Sequence, residues 1–362
     1  MEKAVQEQKN CINSVKRLAN NFDSAIPQQN ADDPNGQYTS SKNWSWVNAF
    51  YPGQLWLAFE QTNDLECKRV AQSTGPHFEH LLEAKNVQHD IGFLYGTMYA
   101  QGYELTQDQD MYARATNGAQ FLIDRFIPSR RVIPSWTFEP GSAQEGKIII
   151  DSIMNLKLLW WSDIAEANSV ATAHAQQIAR YMIRPDGSTF HVFYFDPDGK
   201  PLHGETLQGL SDDSCLSRGQ AWAVNGFTAA YNSTGEPEFL EAAIRTADYA
   251  IAHAQPDFVP VWDYMAKDDT YRDSSAAAIL ADGLLDLAEA TDNTAYRDHA
   301  VHLLDNLITH YSCAEDEEKD GLLLHGCEGV KGPVFDGQLP YGDYFYLKAL
   351  TKAANLPTLA VI

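Results

Sequence analysis

Apolar and aromatic residues are concentrated in helix-length stretches, and a polar residue stands at the start of each stretch. Asp90, for example, directly precedes the apolar run 91–100. Asp, Asn and Ser are favourable N-cap residues, so we expect helices to begin at these points. The marked residues recur at intervals of 42 to 70 residues, and they are Asn48, Asp90, Asp151, Arg218, Asp273 and Asp343.

Each interval holds an apolar helix followed by a more polar one. After Asp90, the apolar residues 94–100 precede the polar stretch 109–126. A repeat of this length is typical of arrays of helical hairpins. We therefore predict an all-α ring of hairpins that forms a single domain over residues 1–362 with one shared core. The six marked helix starts, which belong to the inner helices, are expected at the same end of the ring.

A few short strands are expected in the loops. Residues 189–195 alternate apolar and polar side chains and are followed by the Asp-Pro-Asp-Gly turn at 196–199. This pattern predicts a short hairpin that projects over the cavity of the ring. Long loops are predicted at 28–42, 129–147 and 314–342, and loops of such length in a compact domain tend to be functional.

The charge of the chain excludes two classes of partner. There are 49 acidic and 26 basic side chains, which gives a formal net charge of −23. Such a surface repels nucleic acid and anionic membranes, so we expect neither as a partner. An anionic substrate would need cationic groups within its site. No run of about 18 apolar residues occurs, so we expect no membrane-spanning helix.

The cysteines and the first residues indicate a reducing compartment. Five cysteines are scattered without a C-x-x-C pair, which fits free thiols, although one disulfide stays open. The N-terminal segment has no signal-peptide core, so a cytoplasmic location is expected, or a periplasmic one if a leader has been removed. No metal-ligand spacing or phosphate-binding glycine motif occurs, so no metal and no cofactor are expected.

Asp90 and Asp151 are the candidate catalytic residues. At one end of a hairpin ring both carboxyl groups can face a common cavity, and glycosidic chemistry uses one protonated and one ionised carboxyl group. The alternative is that both residues only cap helices. Asp273 and Asp343 occupy equivalent positions in the repeat, so position alone does not identify the catalytic pair.

Three tryptophans are candidate walls of a sugar site. Trp46, Trp136 and Trp222 lie beside or shortly before helix starts, whereas Trp56 and the pair at 160–161 lie inside helical runs and are assigned to the core. Indole rings stack on sugar faces and exclude water. Core packing is the competing interpretation for any single tryptophan, but three at one end of the ring favour ligand contact.

Arg218 is the candidate cation of this site. It begins an apolar helix without an acidic neighbour in its own motif, so its guanidinium can bind a substrate carboxylate through two hydrogen bonds. Alternatively, it pairs with one of the aspartates of the site. Gln208 and His191 are candidate contacts to substrate hydroxyl or carboxylate groups, and His89 is a candidate donor beside Asp90.

Five runs of sequence carry more specific motifs. They are Val-Gln-His-Asp-Ile-Gly-Phe at 87–93, Ile-Ile-Ile-Asp at 148–151, Phe-Tyr-Phe-Asp-Pro at 193–197, Ser-Arg-Gly-Gln-Ala-Trp at 217–222 and Tyr-Arg-Asp-Ser-Ser-Ala at 271–276. In this order and spacing, over roughly residues 44–350, the chain resembles the unsaturated glucuronyl hydrolases of glycoside hydrolase family 88.

That resemblance implies an (α/α)6 barrel and a particular reaction on an unsaturated oligosaccharide. Polysaccharide lyases leave a C4=C5 double bond in the uronic acid at the non-reducing end, and family members hydrate it. An acid protonates C4, a cation develops at C5, water adds there, and the resulting hemiketal opens to release the rest of the saccharide. The implied roles are Asp151 as general acid/base, Asp90 as its assistant, Trp46, Trp136 and Trp222 as cleft aromatics, and His191, Gln208 and Arg218 as groups that position the uronate.

The chain departs from this family at three places. Family members often carry a histidine where Gln88 stands, and some carry an aromatic residue where Leu216 stands, which affects the subsite for the leaving sugar. Residues 326–337, with Lys331 as their only cation, correspond to a region that holds a substrate sulfate in some members.

Three other functions stay open. The related unsaturated rhamnogalacturonyl hydrolases of family 105 share the barrel and the chemistry but act on pectin fragments. A sugar epimerase or isomerase on the same barrel usually depends on histidine proton shuttling, which the paired aspartates fit less well. A carbohydrate-binding barrel without activity is disfavoured by the presence of both acids. The oligomeric state and the natural polysaccharide are not predicted.

Overall fold

The computed structural model describes residues 2–22, 26–28, 36–40, 45–83, 87–139, 141–267, 271–329, 336–355, 358 and 361–362. Helices dominate this part of the chain and the strands are short, so the predicted all-α class is confirmed. None of the helices described is both long and apolar enough to cross a bilayer.

An outer layer is formed by helices that alternate along the chain with the inner ones. They are α1 (Glu2–Asn21), α3 (Leu65–Ser73), α6 (Gln109–Asp124), α9 (Ala167–Tyr181), α11 (Pro237–Ala252) and α13 (Thr294–Asn306). Each buries one face against the inner ring and leaves the other in solvent, as an amphipathic helix does.

The inner ring is built from helices that are buried on nearly all sides, which explains why their sequences are apolar throughout. Each inner element packs on the next, the last packs on α2 and on α1, and the ring of the predicted (α/α)6 barrel is thereby closed. The elements are α2 (Phe50–Thr62), α4 (Ile91–Tyr95) with α5 (Gln101–Thr106), α7 (Ser152–Asn155) with α8 (Lys157–Trp161), α10 (Ser217–Thr234), α12 (Ser274–Thr291) and α14 (Pro340–Ala353).

The marked polar residues lie at the starts of these inner helices, but most of their side chains form no capping hydrogen bond. Asp273 occupies the N-cap position of α12, and its carboxylate accepts from the amides of Ser275 and Ala276. The expectation of capping is wrong for the other helix starts described. Asp90 and Asp151 stand at N-cap positions without a side-chain cap bond, and Ala49, Leu216 and Leu339 stand at those near Asn48, Arg218 and Asp343.

Two small antiparallel sheets lie in the loops. β1 (Pro27–Gln28) pairs with β2 (Thr39–Ser40) at the edges of the predicted loop 28–42. The predicted hairpin is confirmed as β4 (Val192–Phe195) and β5 (Pro201–Glu205). A third strand was not predicted, β3 (Lys147–Ile149), which pairs with β4 and leads directly into Asp151.

One large cluster of buried apolar side chains extends from Ala4 to Ile362, beside a small second cluster of Leu216, Trp262 and Cys327. The large cluster agrees with one shared core, and the assignment of one domain stays a prediction. The five cysteines are buried as free thiols. Lys331 lies outside the described residues, as do the neighbouring positions of its loop.

Candidate active site

A cavity of about 310 Å³ lies at the end of the barrel where the inner helices begin. Its wall includes six of the eight predicted site residues, which are Asp90, Asp151, Trp46, Trp136, Gln208 and Arg218. The other described lining residues are Gln88, His89, Ile149 and Leu207. The ring therefore brings together residues that are far apart in the sequence.

The two aspartates are neighbours because α4 and α7 approach closely at their first turns. A Cβ atom at Gly92 would lie 2.3 Å from the backbone oxygen of Asn155, so only glycine permits this contact. The Asn155 side chain then accepts a hydrogen bond of 2.7 Å from the amide of Phe93. Asp90 and Asp151 each directly precede one of these helices, so the close packing places both carboxyl groups in one cavity.

Neither carboxyl group accepts a capping hydrogen bond from the helix that it precedes. Oδ1 of Asp151 is buried and has no hydrogen-bond partner. Oδ1 of Asp90 lies 3.4 Å from Nε2 of His89. Buried polar atoms are usually hydrogen-bonded, and exceptions call for a functional explanation.

Burial raises the pKa of both carboxyl groups. The pKa of Asp90 rises to about 7, first because it is desolvated and second because of the charge of Asp151, while Asn155 and Arg125 oppose the shift. Desolvation raises the pKa of Asp151 to about 6, against Arg218, its own backbone N–H and the indole of Trp222. Two interacting carboxyl groups with such values share about one proton near neutral pH.

Arg218 supplies a positive charge to the wall. Its guanidinium is buried and donates to Oε1 of Gln208 at 2.5 Å and to the carbonyl oxygens of Cys327 and Glu328 at 3.1 and 3.2 Å. Its Nε atom has no hydrogen-bond partner. Among the described residues it forms no ion pair, so the alternative of pairing with a site aspartate is not realised. The negative charges of Asp273 and Asp151 act on it from beyond ion-pair distance.

Two of the three predicted cleft tryptophans have a ring on the cavity. Trp46 is stacked on Tyr341, with ring centroids 4.8 Å apart. The ammonium group of Lys147 lies 4.7 Å from the ring centroid of Trp136. Trp222 is fully buried between Phe93 and aromatic residues of α14. Its indole lies behind the wall, where it affects the carboxyl group of Asp151.

His191 also lies behind the wall. Its Nδ1 is 3.1 Å from the hydroxyl of Thr206 and accepts from the amides of Leu207 and Gln208 at 3.3 and 3.4 Å. Burial lowers its pKa to about 3, so the ring is neutral. His191 thus shapes the loop whose side chains form the wall, and a direct contact with substrate stays a prediction.

Two known proteins with related sequences are named as hydrolases of unsaturated saccharides. The chain is 34% identical over 335 residues to an unsaturated glucuronyl hydrolase of Bacillus sp. strain GL1, covering 88% of this chain and 89% of the relative. It is 32% identical over 333 residues to an unsaturated chondroitin disaccharide hydrolase of Streptococcus pyogenes, covering 87% and 83%. No model of a protein family matches the chain.

A solved structure has the same fold over nearly the whole chain. It is the unsaturated glucuronyl hydrolase of Bacillus sp. GL1, described as responsible for the degradation of glycosaminoglycan. The TM-score is 0.91 at 32% identity, covering 96% of each chain. The chain belongs to the unsaturated glucuronyl hydrolases.

As a member of this family, the chain is a glycosidase-type hydrolase. Membership in this family argues against two of the open alternatives, the sugar epimerase or isomerase and the carbohydrate-binding barrel without activity. Of the departures from the family pattern, Gln88 lines the cavity, whereas Leu216 is buried against Trp262 and Cys327 and is not part of the wall.

Sequence reasoning missed several residues of the hydrolase site. Ile149 and Leu207 line the cavity, and no pattern set these apolar residues apart from core positions. Arg125 was missed too. It donates to the carbonyl oxygens of Pro134 and Trp136 at 2.9 and 2.7 Å, and so fixes the loop that carries Trp136. Such contacts to carbonyl oxygens leave no signature in a sequence.

Proposed function

We propose that this chain removes the unsaturated uronic acid from the non-reducing end of lyase-generated oligosaccharides by hydrating its C4=C5 double bond. Asp151 acts as the general acid/base and Asp90 assists it. The proposal depends on one observation above all: two partly buried carboxyl groups without capping bonds share a cavity with a buried guanidinium.

In the first step, the protonated carboxyl group of Asp151 delivers its proton to C4. The electrons of the double bond form the new C–H bond, and positive charge develops at C5 and the ring oxygen. The ionised carboxylate of Asp90 stabilises this charge in a site from which the surrounding aromatic rings exclude water. A raised pKa suits the proton donor, because the acid must still hold its proton near neutral pH.

In the second step, water adds to C5 and gives its proton to the carboxylate of Asp151. The product is a hemiketal, which opens and releases the rest of the saccharide, so that one water molecule is consumed overall. Arg218 binds the carboxylate attached to C5, and Gln208, which accepts from that guanidinium, fixes its orientation. Trp46 and Trp136 pack against the sugar rings.

The proposed substrates carry an unsaturated glucuronic acid. The names of the two relatives support this class, since one is a glucuronyl hydrolase and the other a chondroitin disaccharide hydrolase. The second candidate substrate is an unsaturated rhamnogalacturonan fragment, which has the same double bond. The cytoplasmic location also stays a proposal, which the buried free thiols support.

Loss of the ultraviolet absorbance of the conjugated double bond tests this function directly. Purified protein is mixed with unsaturated disaccharides from glycosaminoglycans, and separately with unsaturated fragments of ulvan, gellan and pectin. We expect rapid loss of absorbance with at least one glucuronic acid substrate and none with saturated disaccharides. Turnover of the pectin fragment alone would support the rhamnogalacturonyl alternative, and no loss with any substrate would refute the proposal.

A further inference from the structure

His89 connects Asp90 to a chain of buried hydroxyl groups. Its Nε2 lies 3.4 Å from Oδ1 of Asp90, and its Nδ1 lies 3.1 Å from Oγ of Ser152. Oγ of Ser152 lies in turn 3.2 Å from Oγ of Ser135. All three members of this chain, His89, Ser152 and Ser135, are buried. The chain joins the residue before Asp90 to the residue after Asp151.

A backbone amide at the far end gives this chain a direction. The N–H of Ile149 donates to Oγ of Ser135 at 2.9 Å. Since each hydroxyl donates only one hydrogen, Ser135 can donate to Ser152, and Ser152 can donate to Nδ1 of His89. The ring then carries its hydrogen on Nε2, which faces Oδ1 of Asp90 across a long contact of 3.4 Å, and the hydroxyl hydrogens of Ser135 and Ser152 each meet an acceptor.

The opposite direction is less favourable. The lone pair of Nε2 would face an oxygen of the Asp90 carboxylate, and the hydroxyl hydrogen of Ser135 would have no acceptor among the described contacts. The His89 ring does not carry protons on both nitrogens, so one of the two neutral tautomers must be present. Burial, followed by the nearby Arg125 and His174, lowers its pKa well below the ordinary value, so the ring is neutral.

The direction matters for the proton that the aspartates share. Desolvation raises the pKa of Asp151 to about 6, and desolvation together with the charge of Asp151 raises that of Asp90 to about 7, which alone would put this proton on Asp90. The charged and titratable groups that affect the pair are Arg125 beside Asp90 and Arg218 beside Asp151. A hydrogen bond donated to a carboxylate favours its ionised form.

We propose that His89 is a positioning residue, held by Ser152 and Ser135 as the Nε2–H tautomer, which keeps Asp90 ionised and thereby leaves the proton of the pair on Asp151. The inference rests on the proposed function, in which Asp151 is the acid. It gives the two aspartates different roles through a hydrogen-bond chain that lies behind the cavity.

Nitrogen-15 NMR of the free protein tests the tautomer without any substrate. The His89 signals are assigned by their absence from the spectrum of His89→Gln. We expect a neutral ring protonated on Nε2 in the wild type and a larger share of the Nδ1–H form in Ser152→Ala. A wild-type ring protonated on Nδ1 would overturn the inference.

The pH dependence of turnover tests the consequence. Without the hydrogen bond from His89, Asp90 is more easily protonated. In His89→Leu the acidic limb of the plot of kcat against pH should therefore move up by about one pH unit. The maximal kcat should fall by about tenfold, with a smaller change in KM. His89→Gln retains an amide donor and should recover part of both effects, and Ser152→Ala should shift the limb in the same direction.

Ser275→Ala is the matched control. It also removes a buried hydroxyl near the start of an inner helix, one that donates to Asp273 at 2.5 Å, and it should leave the limb unchanged. Unchanged limbs in both His89→Leu and Ser152→Ala would refute the positioning role while wild-type turnover still upheld the function. Absence of turnover in the wild type would instead refute the function, and the NMR result would still decide the tautomer.

Discussion

Asp90 and Asp151 on one side of the ring can be compared with Asp273 and Asp343 on the other, since all four lie at starts of inner helices. Oδ1 of Asp273 accepts from the amides of Ser275, Ala276 and Cys327 at 3.1 to 3.2 Å. Asp343 accepts from the hydroxyl of Tyr38 at 2.7 Å and from the amide of Leu323 at 3.1 Å. The carboxyl groups of Asp90 and Asp151 have no comparable set of donors.

A raised pKa does not by itself separate the two pairs. Burial raises the pKa of Asp343 to about 7, the same value as for Asp90. Two differences separate the pairs: Asp273 and Asp343 accept hydrogen bonds from distant parts of the chain and do not line the cavity, whereas Asp90 and Asp151 line it. Oδ2 of Asp273, like Oδ1 of Asp151, is buried without a partner, so an unpartnered oxygen alone does not mark a catalytic residue. An aspartate at a helix start is therefore a candidate catalytic residue when its carboxyl group lines the cavity and accepts few structural hydrogen bonds.

The largest expected effect is that of Asp151→Asn. Loss of the proton donor should lower kcat by at least about 10²-fold, within the range for general acid catalysis. Binding, measured by quenching of tryptophan fluorescence, should change little because the amide has nearly the same shape. Asp292→Asn, at the left-handed C-cap of α12, is the matched control and should keep full turnover. A near-normal kcat in Asp151→Asn would contradict the assignment of Asp151 as the catalytic acid.

Substitution of Asp273 should lower the stability of the fold. Asp273→Ala removes the acceptor of several amides and should lower the free energy of unfolding by about 2 kcal/mol. Asp273→Asn retains an acceptor oxygen and should be much milder. Thermal denaturation measures both. If Asp273→Asn abolished turnover while the melting temperature stayed unchanged, Asp273 would belong with the catalytic pair.

The close packing of α4 on α7 should matter for both properties. Gly92→Ala forces the two helices apart and should lower the free energy of unfolding by about 1 to 3 kcal/mol, with a drop in kcat as Asp90 and Asp151 separate. Gly75→Ala is the control, because its new Cβ would have its nearest neighbour at 3.5 Å. Equal effects of the two substitutions would argue against a role for this helix contact.

The smallest expected effect is a gain of stability in Asp90→Asn. Desolvation and the charge of Asp151 raise the folded-state pKa of Asp90 above its ordinary value, so its contribution to stability is present at acidic pH and is lost as the pH rises through that raised pKa. The variant should therefore melt a few degrees above the wild type at pH 8 and close to it at pH 4. Equal melting differences at both pH values would show that Asp90 is not a strained buried carboxylate.

Much of the architecture was predictable because helix periodicity and repeat length are local properties. The polar helix predicted at 109–126 contains α6, and the alternating run at 189–195 contains β4. The strand β3 was missed because a three-residue strand has too little pattern of its own and depends on pairing with β4. The lining of the site was predictable where a side chain had unusual chemistry, as in Arg218, and not where it was an ordinary apolar residue, as in Leu207.

The sequence by itself determined the ring of helical hairpins, the places where the inner helices begin and the acids that stand there, because these depend on residue spacing and side-chain type. Only the tertiary structure decided which aspartates are left to the cavity. That choice depends on donors such as Cys327 and Tyr38, which come from distant parts of the chain to reach Asp273 and Asp343. Among the described residues, Oδ1 of Asp151 has no hydrogen-bond partner, and the donors that act on this carboxyl group are its own backbone N–H and the buried indole of Trp222.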